Sequence, residues 1–191
     1  SLNKNGSNIF KNEGEKDSEA ESFIAGVLSK TREITAFLNP IVNSYERFGK
    51  FEAPKYISWS HQNRSQLIRI PAATGEKTRM ELRSPDSAIN PYLAFSLILA
   101  AGVYGIENSL TLPKEINENL YILGEEKLKD IEVLPESLQE ALDIAKESEF
   151  IKSVIGSEFL NRYVELKQTE VDRYNKAIEK ENIKRMYFEY I

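Results

Sequence analysis

The chain has 191 residues, 41% of them hydrophobic and 29% charged, the balance of a globular domain with a sizeable core. Its net charge of −5 excludes a polycationic nucleic-acid binder, the absence of cysteine excludes disulfides and thiol chemistry, and one histidine, His61, excludes a multi-histidine metal site within the chain. The longest apolar run, Tyr92 to Ile106, is too short and too interrupted by glycine to span a bilayer, so no membrane partner is expected.

Residues 1–17 read as a loop or hairpin turning at Asn5-Gly6. The opening is polar, with no signal-peptide pattern and no initiator Met, so a cytoplasmic setting and a fragment or processed chain are expected. From Ser18 to Asn39, apolar residues recur at helical spacing: Ala20, Phe23, Ile24, Val27, Leu28, Ile34, Phe37 and Leu38. Pro40 ends that helix, because the residue before a proline avoids the α region. Strands are expected near residues 56–60, 66–70 and 78–83. Asn90 as N-cap and Pro91 at the first helical position open a helix to about Glu107. It is apolar nearly all round, which predicts a central buried helix. Residues 108–136 read as mostly loop. Ser137 with Glu140 forms a capping box for a short helix burying Leu138, Ala141, Leu142 and Ala145. Ser157 opens a long helix using Leu160, Tyr163, Val164, Lys167, Val171, Tyr174 and Ile178, and the aromatic ending MYFEYI is expected to bury itself against the body or a neighbour.

The chemistry concentrates between Glu52 and Arg83, which holds four of the nine arginines, with Arg47 just upstream. In TRMELR, strand alternation puts Arg79, Glu81 and Arg83 on one face and Met80 and Leu82 on the other. In LIRIP, Ile68 and Ile70 oppose Arg69. Such a face is either a solvated surface with cross-strand ion pairs or a clamp for a multiply anionic ligand, since each guanidinium offers a planar fork to phosphate or carboxylate. A carboxylate among arginines is either a salt-bridge partner or a metal ligand. Taken alone, Glu52 reads as a surface carboxylate, His61 as a turn or strand-end residue, Trp59 as core and Tyr121 as a packed aromatic. The residues by themselves support an α+β domain, an antiparallel sheet of about three strands packed with several helices.

Several segments together resemble type I glutamine synthetase: SLNKNGSNIF, NPIVNSYERF, FEAP, NRSQLIRIP, TRMELRSPDSAINPYLAF and LAAGVYGIEN, in the family's order with similar gaps. The resemblance runs from Ser1 to about Leu123 and implies that residues 1–191 are the C-terminal portion of a catalytic domain of the glutamine synthetase/guanido kinase-like fold. It implies an ATP-dependent ligase that makes glutamine from glutamate and ammonia through γ-glutamyl phosphate, with Mg2+ or Mn2+. Carried over to this sequence, Arg47 would hold the glutamate carboxylate. Glu52 would be the flap glutamate that closes over the intermediate and helps deprotonate ammonium. Arg64 would lie near both glutamate and the transferred phosphate, and Arg83 would orient the γ-carboxylate or its phosphate. Arg69, Arg79 and Ser1 would contact the nucleotide, and Glu81 would be a metal ligand.

Between Arg47 and Glu52 the sequence departs from the family's Leu-Val-Pro-Gly-Tyr and is one residue shorter. Tyr121 falls where some members carry a nucleotidylated tyrosine, but its surroundings resemble the unmodified subclass. The family's first half, with its N-terminal β domain, other metal-binding glutamates and a metal-ligating histidine, has no counterpart in the chain. Little synthetase activity is therefore expected of the chain alone. The family also implies a cytoplasmic homo-oligomer, a dodecamer. Rival readings are a relative joining glutamate to a larger amine and a non-catalytic truncated or split-gene assembly piece.

Overall fold

The computed structural model describes residues 1–12, 18–50 and 52–176. A short antiparallel hairpin, β1 (Asn3–Lys4) and β2 (Ser7–Asn8), turns at Asn5 and Gly6, whose φ values of 53° and 81° suit those residue types. Helix α1 (Glu19–Leu38) follows. Ser18 caps it by accepting from the Glu21 N–H at 3.2 Å, and Asn39 closes it with its N–H on the Thr35 carbonyl at 2.8 Å. A 3-10 turn (Val42–Arg47) leads to a three-stranded sheet of β3 (Trp59–His61), β4 (Ile68–Ile70) and β5 (Glu81–Leu82). The remainder is helical: α2 (Pro91–Glu107), α3 (Glu125–Leu128), α4 (Leu138–Glu147), α5 (Glu149–Ile155) and α6 (Ser157–Lys176). The architecture is α+β, as the sequence predicts.

The sheet departs from the expectation in two ways. First, β4 and β5 are antiparallel, but β3 and β4 are parallel, with Trp59 opposite Ile68 and His61 opposite Ile70. A short connection ordinarily makes a hairpin. Here Gln62 takes φ 61° and the intervening residues double back, so that Ile68 N–H reaches the Ser58 carbonyl at 3.0 Å. Second, β5 is shorter than residues 78–83. The Thr78 carbonyl accepts from the Asn8 side chain at 2.8 Å, which docks the N-terminal hairpin here in place of a ladder bond.

Two apolar clusters share α1. One joins Ile34, Phe37 and Leu38 to Leu97 of α2, to α4 and to α6, where the Phe37 and Tyr163 rings stack at 4.2 Å. The other joins Phe23, Ile24 and Val27 to Phe10, Trp59, Ile68 and Ile70, so it forms the floor under the sheet. Close approach of α1 and α2 depends on glycine. A Cβ at Gly26 would lie 2.2 Å from the Ala101 carbonyl oxygen, and one at Gly105 would lie 2.0 Å from that of Ser22.

Helix α2 is not buried all round. Ala94, Leu97, Ala101, Gly102 and Gly105 face α1, but Tyr92 is 83%, Phe95 63%, Leu99 42% and Val103 45% exposed. Apolar composition registers that a helix can be covered on every side; which sides the neighbours cover is a tertiary fact. Ser137 caps α4 as expected, accepting from Glu140 N–H at 3.1 Å, but Glu140 returns its bond to the Glu136 N–H at 2.9 Å, one residue earlier than a capping box places it. Helix α5, which the sequence reading passes over, is capped by Ser148 (Ile151 N–H to Oγ, 3.0 Å). Ile178 and the MYFEYI ending lie outside the described residues.

Candidate functional site

β4 and β5 set the first half of the site. Arg69 and Glu81 are directly opposed across the ladder, so their side chains leave the sheet on the same face. Arg69 donates from Nε at 2.9 Å and Nη2 at 2.6 Å to one Glu81 oxygen, and Arg79 Nη2 donates to the other at 3.2 Å. Burial alone would raise the Glu81 carboxyl, but the Arg69 and Arg79 guanidinium groups outweigh it and hold it below the ordinary carboxylate range. On the opposite face, Met80 and Leu82 pack on the core, as the alternation predicts. Within this chain both carboxylate oxygens of Glu81 are engaged by guanidinium groups.

The second half is a carboxylate between two arginines. Glu52 presents its carboxylate 3.7 Å from Arg64 Nη1 and 3.8 Å from Arg83 Nη2, and its carbonyl accepts from Arg83 Nη2 at 3.0 Å. Glu52 has φ 61°, a left-handed backbone that is uncommon for a residue with a Cβ and costs on the order of 1 kcal/mol. The Arg83 side chain is only 14% exposed, and burial draws its guanidinium below its usual value. Its Nη1 is buried with no partner. Arg64 and Glu52, by contrast, are 64% and 61% exposed, so this side of the site is open to a ligand.

Arg47 is anchored from below. Its Nη2 donates to the Ser84 carbonyl, and its guanidinium carbon stands 6.0 Å from the centre of the Phe48 ring. Ser1 is exposed at the start of the N-terminal hairpin. That hairpin is tied to the 3-10 turn at Gly75–Lys77, just before Arg79, by Asn8 and by the Lys11–Glu76 ion pair. The structure therefore brings Glu52, Arg64 and Arg83 together, and separately Arg69, Arg79 and Glu81, and places Arg47 on the carbonyl of Ser84, the residue after Arg83.

Sequence reading missed the supports. Asn63 donates to the Asn117 and Glu118 carbonyls at 2.9 and 3.0 Å while its oxygen accepts from the Ser65 N–H and Oγ, both at 2.9 Å. Gln66 Nε2 also donates to Glu118 O at 3.1 Å, and Leu120 N–H donates to Ser65 Oγ at 3.0 Å. Loop 117–120 is thereby clamped to the turn that carries Arg64. Tyr121 follows, close enough to Arg83 and Glu52 to feel both charges: burial raises its phenol, Arg83 opposes and Glu52 reinforces that rise. The polar run SHQNRSQ between two strands is the one sequence signal of this clamp. His61 ends β3 and pairs with Glu115 at 2.9 Å, and Trp59 is buried with its Nε1 on the Pro113 carbonyl at 2.7 Å, both as their bland readings predict.

Among the described residues, no group of three or more His, Asp or Glu side chains could hold a metal ion. Glu81 supplies one hard oxygen donor, already shared by two guanidinium groups, which is less than the cage a divalent ion requires. Chemically, the site can bind and orient anions. Bidentate guanidinium groups on a rigid sheet hold phosphate or carboxylate, and a carboxylate at an exposed turn stands beside them.

A sequence-family model described as "Glutamine synthetase, catalytic domain" matches residues 1–186. The glutamine synthetase of Methanosarcina mazei is 44% identical over 184 residues, covering 93% of this chain and 41% of that protein. The glutamine synthetase of Clostridium saccharobutylicum is 42% identical, covering 93% and 42%, and that of Staphylococcus aureus 43% identical, covering 83% and 36%. Among solved structures, one titled "GmaS/ADP complex-Conformation 1" superposes with a TM-score of 0.79 at 30% identity, covering 92% of this chain and 41% of that one. The chain spans about two-fifths of the length of these relatives.

Proposed function

This chain belongs to the glutamine synthetase catalytic-domain family, and from that premise we propose that it supplies the glutamate- and phosphate-binding arginines of an ATP-dependent glutamate–ammonia ligase. In the reaction, a γ-carboxylate oxygen of glutamate attacks the terminal phosphorus of ATP, releasing ADP and forming γ-glutamyl phosphate. Ammonia then attacks the acyl carbon and expels phosphate, leaving glutamine. Both steps move negative charge between oxygens, so positioning and charge neutralisation supply most of the catalysis.

Arg47 holds the glutamate carboxylate. Arg64 and Arg83 orient the γ-carboxylate and then its phosphate. Arg69, Arg79 and Ser1 contact the nucleotide. Glu52 covers the acyl phosphate, keeps water from it and takes a proton from the incoming ammonium. A bound Mg2+ or Mn2+ would neutralise the phosphates; Glu81 would give it one oxygen donor in exchange for its bonds to Arg69 and Arg79, and the described residues hold no group of three or more His, Asp or Glu side chains that could complete such a site. The observation that carries the proposal is the convergence of Arg64 and Arg83 on the Glu52 carboxylate at 3.7 and 3.8 Å, which makes a carboxylate-sized seat between two cations. The relatives are glutamine synthetases, which favours ammonia over a larger amine as acceptor, and the superposed structure is an ADP complex, which favours a nucleotide site. By family likeness the working protein is a cytoplasmic homo-oligomer, with a dodecamer as the expected form.

The purified 191-residue chain alone is expected to form little or no glutamine from glutamate, ammonia and ATP, because a single carboxylate rarely holds a catalytic divalent ion. Adding the remaining polypeptide of the Methanosarcina mazei enzyme should give ATP-dependent glutamine formation that Arg83→Gln in this chain removes. Normal turnover by the chain alone contradicts the first expectation. Turnover that survives Arg83→Gln contradicts the proposed role, and preference for a polyamine over ammonia reassigns the acceptor.

A further inference from the structure

Asn39 ends α1, and its side chain is fully buried, with 0% exposure. A buried amide at a helix end is ordinarily satisfied by its own helix. Here its Nδ2 crosses to the Ser84 carbonyl at 2.8 Å, a residue 45 positions later and next to Arg83. The same carbonyl accepts from Arg47 Nη2. Asp86 N–H also reaches the Leu38 carbonyl at 3.3 Å, so residues 84–86 are seated on the C-terminal end of α1. Asn39 and Arg47 therefore share one acceptor, on a peptide whose neighbour, Arg83, reaches the Glu52 carbonyl.

The polar atoms around this acceptor are sparse in partners. Asn39 Oδ1, Ser84 Oγ and Arg47 Nε are each buried without a hydrogen bond. The Asn39–Ser84 bond is thus a principal polar tie between the Ser84 peptide and the rigid end of α1. A carbonyl pinned from one side by a fully buried amide offers Arg47 a fixed docking point. It commits one edge of the guanidinium and leaves the rest to a ligand. Arg47 sits in a 3-10 turn, where a long side chain has several rotamers of similar energy, so a fixed acceptor decides where its head points.

We propose that Asn39 is a positioning residue for Arg47: by holding the Ser84 carbonyl, it fixes the guanidinium that receives the glutamate carboxylate. This rests on the function proposed above for Arg47. Asn39 touches no substrate and acts through the peptide it holds. Loss of its donor lets the Ser84 peptide move and Arg47 with it, while Arg69 and Arg79, anchored on β4 and β5 and on Glu81, stay in place.

The test is isothermal titration of the purified chain with L-glutamate and, separately, with ADP, for wild type, Asn39→Asp and Asn39→Ala. Asp keeps the shape of Asn but cannot donate when ionised, and Ala guards against a variant that fails to fold. The expected result is a loss of about tenfold in glutamate affinity in both variants, the size of one well-placed hydrogen bond, with ADP affinity within about twofold of wild type. A purely structural role would move both ligands together, so equal losses overturn the proposal. Unchanged glutamate affinity in Asn39→Asp overturns it as well. A wild-type chain that binds ADP but not glutamate removes the function proposed for Arg47, and the positioning role with it, which distinguishes that failure from the other two.

Discussion

Glu81 lies between Arg69 and Arg79, and Arg69 is only 18% exposed. Glu81→Gln strips a half-buried guanidinium of its charged partner, and a loss of about 1–2 kcal/mol of stability is expected, between the values for exposed and buried pairs. Urea unfolding at neutral pH measures it. The pH dependence has a definite sign. The carboxyl is held below its ordinary value in the folded chain, so its stabilisation is fully present above the unfolded carboxylate value near 4.5. It is lost as pH falls through the lower folded value, and the acid limb of the unfolding curve should flatten in Glu81→Gln. Tyr45 works at the other end: burial raises its phenol far above the usual 10, so folded chains keep it neutral. Its contribution is intact below about pH 10 and drains away as pH rises further, a loss that Tyr45→Phe should abolish in alkaline melts. At this scale the alternation in TRMELR correctly separated Met80 and Leu82, which pack on the core, from Arg79 and Glu81, which pair with each other, because side-chain direction in an extended segment is a local property. Asn39, Asn63 and Tyr121 were illegible: Asn39 meets Ser84, Asn63 meets Asn117 and Glu118, and Tyr121 meets the charges of Arg83 and Glu52, all far along the chain, and no local pattern encodes such meetings.

Helices carry their boundaries in their own caps, and the sequence was legible there. Asn90 and Ser137 cap as read, and Ser18, where the helical spacing begins, caps α1. Strand pairing is not local, and the parallel union of β3 and β4 was missed because the Asn63 clamp that folds their connection back draws on loop 117–118. The α1–α2 contact yields a sharp element-level prediction. Gly105→Ala drives a methyl to within 2.0 Å of the Ser22 carbonyl, where the obstacle is backbone and cannot rotate away. A loss of about 1–3 kcal/mol or more follows. Gly124→Ala, where a Cβ meets nothing within 4 Å, should stay within about 0.5 kcal/mol of wild type. Thermal melts of the two variants side by side decide it.

Across the molecule, α1 is the element on which everything is mounted: it carries both apolar clusters, and its C-terminal end holds the Ser84 peptide. The arginines are spread over three separate chain segments; the sheet and the 3-10 turn pack in the apolar clusters that α1 carries, and loop 117–120 is clamped to the turn that carries Arg64. Resemblance could identify those arginines, since motifs survive in sequence; the bracing that aims them required the fold. The open stripe of α2 has a whole-molecule consequence. Phe95, 63% exposed, lies on the helix face turned away from α1, so Phe95→Glu should cost less than about 0.5 kcal/mol and raise the concentration at which the purified chain precipitates. Static light scattering against concentration reads that change.

The central claim is that Arg47, Arg64 and Arg83 form a seat for glutamate and its γ-phosphate. Its most direct measurement is calorimetric titration of L-glutamate, in the presence of ADP, into wild type and Arg83→Gln. Wild type is expected to bind glutamate and Arg83→Gln to lose at least tenfold in affinity, because hydrogen bonds to charged groups contribute about 1.5–3 kcal/mol each. Equal affinity in the two proteins, or no glutamate binding by the wild-type chain, would contradict the claim.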